Sequence, residues 1–269
     1  MTTAPLDTNL IRNADSITKL GEEFRGTVLV AGSHGGRYCG YLTALAGLRG
    51  VILNDAGVGK DNAGISALPY LEALGVPAAV ISHQSARIGD GADMIARGKL
   101  SHVNAPARAL GCAVGEACAR AAAKLAGGVP YVGDVPEYRE ARSLLDGGAT
   151  PIIVCDSASL VTADDAGAFI VTGSHGGILA GRPGYGLAAA ARGAVFNDAG
   201  VGIEDAGLAR LAVLDAAGTA AVTVSSQSAR IGDGISAWEN GLVSHTNSRA
   251  ADLGVAQGWT VQKFAKCFS

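Results

Sequence analysis

The chain is poor in aromatic and charged side chains, which make up 5% and 17% of its 269 residues. With 21 basic against 24 acidic residues its formal charge is −3, and no Lys/Arg cluster or aromatic-interleaved basic stripe occurs. A nucleic-acid backbone would find no electrostatic footprint, so that partner is excluded. No apolar run reaches the roughly 18 residues of a membrane span. The opening MTTAPLDTNLIRN also lacks a charged segment followed by an apolar one, so no membrane partner and a cytoplasmic location are expected. Cysteine is scarce and odd in number: Cys39, Cys112, Cys118, Cys155 and Cys267 form no CxxC and do not recur between the halves. That pattern excludes a disulfide framework and leaves buried free thiols as the expectation. The P-loop, GxGxxG, GxSxG and HExxH patterns are missing too, and with them a ready-made phosphate cradle, the esterase nucleophile elbow and a zinc helix. No metal is expected, and no motif names a cofactor.

Glycine is what the chain has in excess: 39 in 269 residues, about twice the usual share of roughly 7%. Much of it sits in motifs written twice. GSHGG stands at 32–36 and 173–177, NDAGVG at 54–59 and 197–202, QSARIGDG at 84–91 and 227–234, and SHxN at 101–104 and 244–247. A repeat on this scale reads as an internal duplication, with residues 1–125 as the first α/β repeat, 126–151 as a linking segment and 152–269 as the second repeat. Within the linker, PEYREARSLLDGG predicts a helix ending at Gly147.

In each copy short β-branched runs alternate with Ala/Leu-rich segments. TVLVAG, GVILND and PAAVISHQ predict buried parallel strands, as do AFIVTG, AVFNDA and AAVTVSS. YCGYLTALAGLRG and DNAGISALPYLEALG predict helices, the second closing at Gly75. LIRNAD and PIIVCD are weaker strand signals. The fold class is therefore α/β, with two similar βαβαβ halves, mainly parallel and doubly wound sheets, and a pseudo-twofold relation between the halves.

Every repeated motif begins where a strand stops. In a parallel sheet those positions share the carboxyl edge, where ligands of open α/β sheets bind. His34 and His175 are the first candidates for acid/base chemistry, because four of the five histidines form repeated pairs, the second being His102 with His245. His83 is the unpaired one. Ser33 and Ser174 are candidate nucleophiles only if His102 and His245 supply their base, because adjacent side chains at a strand end diverge. A cap or turn role is the plainer alternative for both serines. The amides of Gly35, Gly36, Gly176 and Gly177 could hold an anion or developing oxyanion at a helix start. Asn54, Asp55, Asn197 and Asp198 could orient a histidine, bind a hydroxyl or cap a helix. Ser85 and Ser228 lie on the third loop, where Arg87 and Arg230 offer forks for a carboxylate unless Asp90 and Asp233 hold them in local ion pairs.

Unmatched positions break the repeat: Lys60 against Ile203, His83 against Ser226, Glu116 against Trp259, and Arg37 against Ile178. They favour one composite cleft for a single asymmetric ligand over two independent sites. Duplicated ring-opening amidohydrolases and pseudo-symmetric racemases are analogies of architecture only, since neither a Ser-Lys arrangement nor a cysteine pair repeats here. The expected function is an enzyme, a hydrolase or amidohydrolase of small-molecule metabolism, cleaving an amide-like or ester-like bond in a small polar substrate. Isomerase, racemase or lyase chemistry by proton abstraction next to a carbonyl is the alternative, and a non-catalytic ligand-binding module is the reading from another class. A homo-oligomer is expected.

Overall fold

The computed structural model describes residues 10–269; the first nine residues, part of the first repeat as read above, lie outside the described residues. The chain divides into two compact units. The first takes the chain up to Asp55 together with Ile65–Tyr138, and the second takes Ala56–Gly64 together with Arg139–Ser269. The division does not follow the repeat, because the end of the first NDAGVG motif belongs to the second unit.

The first unit holds a five-stranded sheet of β1 (Ile11–Ala14), β2 (Val28–His34), β3 (Gly50–Asn54), β4 (Ala78–Ile81) and β5 (Leu100–Val103), in that order. β1 to β4 are parallel, and β5 runs antiparallel to β4. Successive side chains of a strand point to opposite faces, so strands that read as unbroken apolar runs need cover on both. Leu29, Ala31, Val51, Leu53 and Val80 pack under α1 (Arg37–Leu45) and α2 (Ala67–Ala73). Val28, Val30, Ile52 and Ile81 pack under α3 (Gly91–Arg97), α4 (Ala105–Ala109) and α5 (Cys118–Leu125). Gly75, at φ 71°, ends the α2 segment as the sequence predicts, and Val76 N–H then bonds the Leu71 carbonyl at 2.9 Å.

The second unit has six strands in the order β11, β10, β9, β8, β7, β6. They are β6 (Arg142–Leu145), β7 (Ile152–Cys155), β8 (Phe169–His175), β9 (Gly193–Asn197), β10 (Ala220–Val224) and β11 (Val243–Thr246), with both edge strands antiparallel to their neighbours. One face packs under α7 (Gly234–Asn240), α8 (Ser248–Asp252) and α9 (Val261–Ala265), with Phe169 and Phe264 edge to face at 5.0 Å. α6 (Arg210–Ala216) covers the other face through Leu211 and Leu214.

Three expectations are corrected. Each sheet runs in chain order with no reversal, so neither is doubly wound and neither has the crevice that a reversal opens. The linker is not helical. Arg142–Leu145 forms β6 instead, because pairing along the open edge of β7 outweighs the helical propensity of EARSLL. Finally, GSHGG leads into α1 in the first unit but into irregular chain in the second, where Gly181, Pro183, Gly184 and Gly186 break any helix.

The SHxN motif is explained by its asparagine. Buried Asn104 accepts from Ala78 N–H at 2.9 Å and Ala107 N–H at 3.0 Å and donates to Val76 O at 2.8 Å, tying β4 to the start of α4. Asn247 repeats the arrangement with Ala221, Ala250 and Thr219.

Close backbone crossing explains the first glycine of GSHGG. A Cβ on Gly32 would lie 2.5 Å from Asp90 N, and one on Gly173 would lie 2.3 Å from Asp233 N. In their place run the bonds Gly89 N–H to Gly32 O at 2.8 Å and Gly232 N–H to Gly173 O at 2.7 Å. Gly32→Ala and Gly173→Ala should each cost about 2 kcal/mol or more in urea unfolding. Gly184→Ala, where a Cβ meets open space, should change stability by less than about 0.5 kcal/mol. Equal stabilities across the set would show that the crossing is not a constraint.

Candidate functional site

In the first unit the three motif loops interlock at the carboxyl edge. Gly35 N–H donates to Asn54 O at 2.7 Å, Asp55 N–H to Ile81 O at 2.9 Å, and the Asn54 amide to Ala86 O at 3.4 Å. The ends of β2, β3 and β4 therefore lie side by side. In the second unit Gly176 N–H meets Asn197 O at 2.8 Å, Asp198 N–H meets Val224 O at 2.9 Å, and the Asn197 amide meets Ala229 O at 3.0 Å.

His34 ends β2, partly open to solvent, and its Nδ1 accepts the Gly36 N–H at 3.1 Å. A nitrogen that accepts an amide proton carries none, so the ring proton sits on Nε2. Burial pushes the pKa of His34 down to about 4, and the Gly36 bond favours the same neutral form. His34 is therefore a neutral N–H donor at physiological pH. His175 is built alike, with Gly177 N–H to its Nδ1 at 3.2 Å. The glycine amides are consequently spent inside the loop: Gly35 and Gly176 on asparagine carbonyls, Gly36 and Gly177 on the imidazoles.

The serines are engaged as well. Ser33 Oγ accepts Ile17 N–H at 3.0 Å, and Ser174 Oγ accepts Ala158 N–H at 2.9 Å. His102 Nδ1 lies 3.2 Å from Ser101 Oγ, on β5, while His245 is exposed on β11. Ser85 Oγ donates to Ser82 O at 2.8 Å, and Ser228 Oγ to Ser225 O at 2.8 Å, each shaping its own turn.

Both arginines sit in local ion pairs. Arg87 reaches Asp90 at 3.0 Å and Asp93 at 3.2 Å, and Arg230 reaches Asp233 at 2.8 Å and Asp61 at 3.0 Å. Asp90 and Asp233 double as N-caps of α3 and α7, accepting from Asp93 N–H and Ser236 N–H.

A pair that the sequence reading passed over stands at the centre of the first edge. His83 Nδ1 lies 2.8 Å from Asp55 Oδ1, and His83 N–H donates to the same oxygen at 2.9 Å. The Asp55 side chain is 4% exposed and the His83 side chain 22%. Burial alone would raise the Asp55 pKa. Hydrogen bonds from the His83 ring, the His83 amide and the Ser101 hydroxyl outweigh it and hold the carboxyl below its ordinary range. An imidazole fixed through Nδ1 by a buried carboxylate presents Nε2 as a base. His83, the histidine without a repeated partner, follows β4 directly and so shares Asp55's edge. In the second unit Ser226 takes that place, and Asp198 receives only backbone N–H groups, from Ser226 and Gly200, each at 2.9 Å.

Burial shifts the pKa of two further groups of the second unit. Arg210 is buried with its guanidinium on Gly186 O at 2.6 Å and Gly177 O at 2.9 Å, over the Phe196 ring, and burial lowers its pKa to about 10. It braces the irregular segment that replaces a helix there. Burial, then the Asp156 charge, raises the Glu140 carboxyl to about 7.

Loop 56–64 completes the second unit's edge. Lys60 N–H bonds Ser226 O at 2.8 Å, and its Nζ reaches Asn240 Oδ1 at 3.0 Å. Ala56, Val58, Asp61 and Asn62 have φ between 46° and 62°, and Ala199, Val201, Glu204 and Asp205 repeat them at 50° to 65°. Left-handed backbone at a valine is strained and clusters at functional loops.

Cavities of about 230 and 290 Å³ lie along α1, and neither is lined by His34, Asp55 or His83. The described residues hold no cluster of three or more His, Cys, Asp or Glu side chains placed to bind a metal. No helix among them is long and apolar enough to cross a membrane. Four cysteines are buried free thiols, as expected, whereas Cys267 is exposed. Comparison with protein-family models, with curated proteins and with solved structures finds no match for this chain.

Two titrations follow. His34 ring resonances should stay in the neutral position from pH 8 to pH 5. Between pH 6.5 and about 4 the unfolded chain takes up a proton that folded His34 refuses, so this residue's contribution to stability falls as pH drops through that window. Glu140 acts oppositely: the fold keeps its proton up to about pH 7, while the unfolded carboxyl loses it near 4.5, so its contribution falls as pH rises. Glu140→Gln should therefore be more stable than wild type at pH 8, with the gap closing toward pH 5. A His34 signal moving near pH 6.5, or a Glu140→Gln difference independent of pH, would refute the respective assignment.

Proposed function

We propose that the chain is an enzyme that moves a proton on a small polar molecule bearing a carbonyl or carboxylate. The Asp55–His83 pair carries this reading: a buried carboxylate holds the ring through Nδ1, so Nε2 can take a proton from carbon next to a carbonyl. His34 Nε2–H then donates to the carbonyl oxygen as it gains charge, a role suited to a neutral imidazole. β2 and β4 flank β3, so at a strand spacing of about 4.8 Å the ends of the strands that lead into the two histidines stand roughly 10 Å apart.

Of the two chemistries that the sequence admits, this arrangement favours proton abstraction over hydrolysis. Abstraction needs a base and an oxygen ligand, both supplied here. Hydrolysis as first read needs a free serine and free glycine amides, and each of those is bonded within its unit. The recurring motifs are read as a duplication in which the first half kept the base and the second did not.

The test is exchange of carbon-bound hydrogen in D2O, followed by NMR over a panel of 2-oxo acids, 2-hydroxy acids and cyclic ketones. His83→Gln should lower exchange by about 10²–10⁴-fold. Asp55→Asn should lower it by at least about tenfold, and His34→Gln by about 10²-fold. Ser33→Ala should cost less than about threefold. Oxygen from labelled water entering the product without deuterium exchange would favour hydrolysis. Binding with neither event would favour a ligand-binding module.

A further inference from the structure

We infer that Arg37 takes the carboxylate of the substrate, so that the molecule on which the first unit acts is a short oxo acid with its carboxylate next to its carbonyl. The inference deepens the proton-transfer reading and rests on it. Arg37 opens α1 one residue after Gly36, whose N–H donates to His34 Nδ1 at 3.1 Å. Side chains of a helix lean toward its N-terminus, and α1 begins beyond the carboxyl end of β2, so Arg37 leans toward the edge that carries His34. Its Cζ stands 5.6 Å from the centre of the Tyr70 ring and 5.8 Å from that of Tyr138, within the range of a cation–π contact. Both rings are themselves placed. Tyr70 lies on the bare face of α1, where a Cβ on Gly40 would come within 3.1 Å of its Cδ1, and its helix α2 is tied to the GSHGG loop by Ala67 N–H on Gly35 O at 2.8 Å. Tyr138 packs at 5.7 Å on Tyr38 and at 6.2 Å on Tyr41, both of α1.

A guanidinium over aromatic rings is held without using its N–H groups. Arg87 and Arg230 turn theirs to Asp90, Asp93, Asp233 and Asp61, whereas among the described residues no acidic side chain pairs with the exposed Arg37. The position is a poor one for the fold, since a cation at a helix N-terminus opposes the helix dipole, and α1 has neither an acidic residue in its first turn nor a side-chain cap. A bound anion would offset both. The second unit lacks the arrangement: Ile178 stands in place of Arg37, Val213 in place of Tyr70, and no helix directly follows its GSHGG. Base and cation are thus unmatched in the same half of the repeat, His83 against Ser226 and Arg37 against Ile178. His34 and Arg37 lie three residues apart on one turn, so the groups they hold must be close neighbours in the ligand. With the carboxylate on Arg37 and the adjacent carbonyl oxygen on His34 Nε2–H, the C–H bond beyond the carbonyl breaks. Its proton joins His83 Nε2 and its electron pair becomes the enolate, with no oxidant or co-reactant involved.

Binding is tested apart from turnover with oxamate, which carries the carboxylate and the adjacent carbonyl but no C–H to exchange. In ¹⁵N-arginine NMR of the full-length protein, oxamate should shift the Arg37 side-chain N–H. By calorimetry, Arg37→Gln should weaken oxamate binding at least about tenfold, and Arg37→Lys should recover part of the loss. Tyr138→Leu should weaken it about threefold. Tyr70→Phe removes only a hydroxyl that has no hydrogen-bond partner among the described residues, and should bind as wild type does. Lys99→Gln, which removes another cation of the same unit, should bind as wild type too. Arg37→Gln should keep its Tm within about 3 °C of wild type. Turnover is read as C3 hydrogen exchange of 2-oxobutanoate in D2O, with 2-butanone as the analogue without a carboxylate. Arg37→Gln should raise KM for 2-oxobutanoate about tenfold, hold kcat within about threefold, and leave exchange of butanone unchanged. A wild type that binds no oxamate, a folded Arg37→Gln with wild-type affinity, or an equal loss in Lys99→Gln overturns the assignment. Exchange of both compounds that ignores Arg37 also overturns it but leaves the proton-transfer reading standing. Oxamate held by Arg37 with no oxo acid exchanging does the reverse.

Discussion

Everything at the edge of each sheet depends on two strands of backbone passing where no Cβ fits. At Gly32 the Gly89–Asp90 backbone occupies the space a side chain would need, and at Gly173 the Gly232–Asp233 backbone does the same. That crossing holds the third loop against the first. Asp90 and Asp233 can then cap α3 and α7, and their arginines are drawn into local ion pairs. The third loop is thus held by contacts of its own. Its arginines act on its shape, which is why a motif that looks like a carboxylate fork is occupied from within.

On this common frame the two units differ in side chains and in two elements, α1 of the first and β6 of the second. In the first unit α1 follows GSHGG; in the second the glycines and Pro183 prevent a helix, and Arg210 takes over the packing by reaching two backbone carbonyls. A buried guanidinium without a carboxylate is costly, and the same burial lowers its pKa. The scaffold tolerates it because the sheet underneath is unchanged. What the frame does not conserve is the chemistry at the ends of β3 and β4, where His83 gives way to Ser226.

The β2, β3, β4, β8, β9 and β10 strands were legible because burial on both faces leaves continuous apolar runs. The loops at their ends were legible as glycine-rich motifs, and the placement of those motifs on one edge followed from parallel pairing. β5 and β11 were not, because LSHV and VSHT carry polar residues at their middles and gain their strand state from β4 and β10. β6 was misread because EARSLL has helix-forming residues and only the open edge of β7 makes it a strand. Recurrence led to His34 and His175, and asymmetry marked His83 against Ser226, but neither signal joined His83 to Asp55, because that contact depends on β3 and β4 lying side by side.

The first edge also treats its two fixed polar groups in opposite ways. Asp55 is surrounded by donors, which favour its charged form against the desolvation that opposes it. His34 receives a donor on the one nitrogen that would otherwise pick up a proton, and burial opposes its charged form as well. One group is held anionic and the other neutral over the same range of pH. A cationic imidazole in place of His34 would bind any anion, substrate carboxylate or buffer ion alike, and would gain little as charge moved onto a carbonyl oxygen. A neutral N–H gains most when that charge appears, which is the difference a proton-transfer enzyme exploits. Gly177 N–H meets His175 Nδ1 as Gly36 N–H meets His34 Nδ1, so this contact recurs in both units. The Asp55–His83 pair belongs to the first edge alone, so on the proposed reading it is that edge which joins a base to an oxygen ligand.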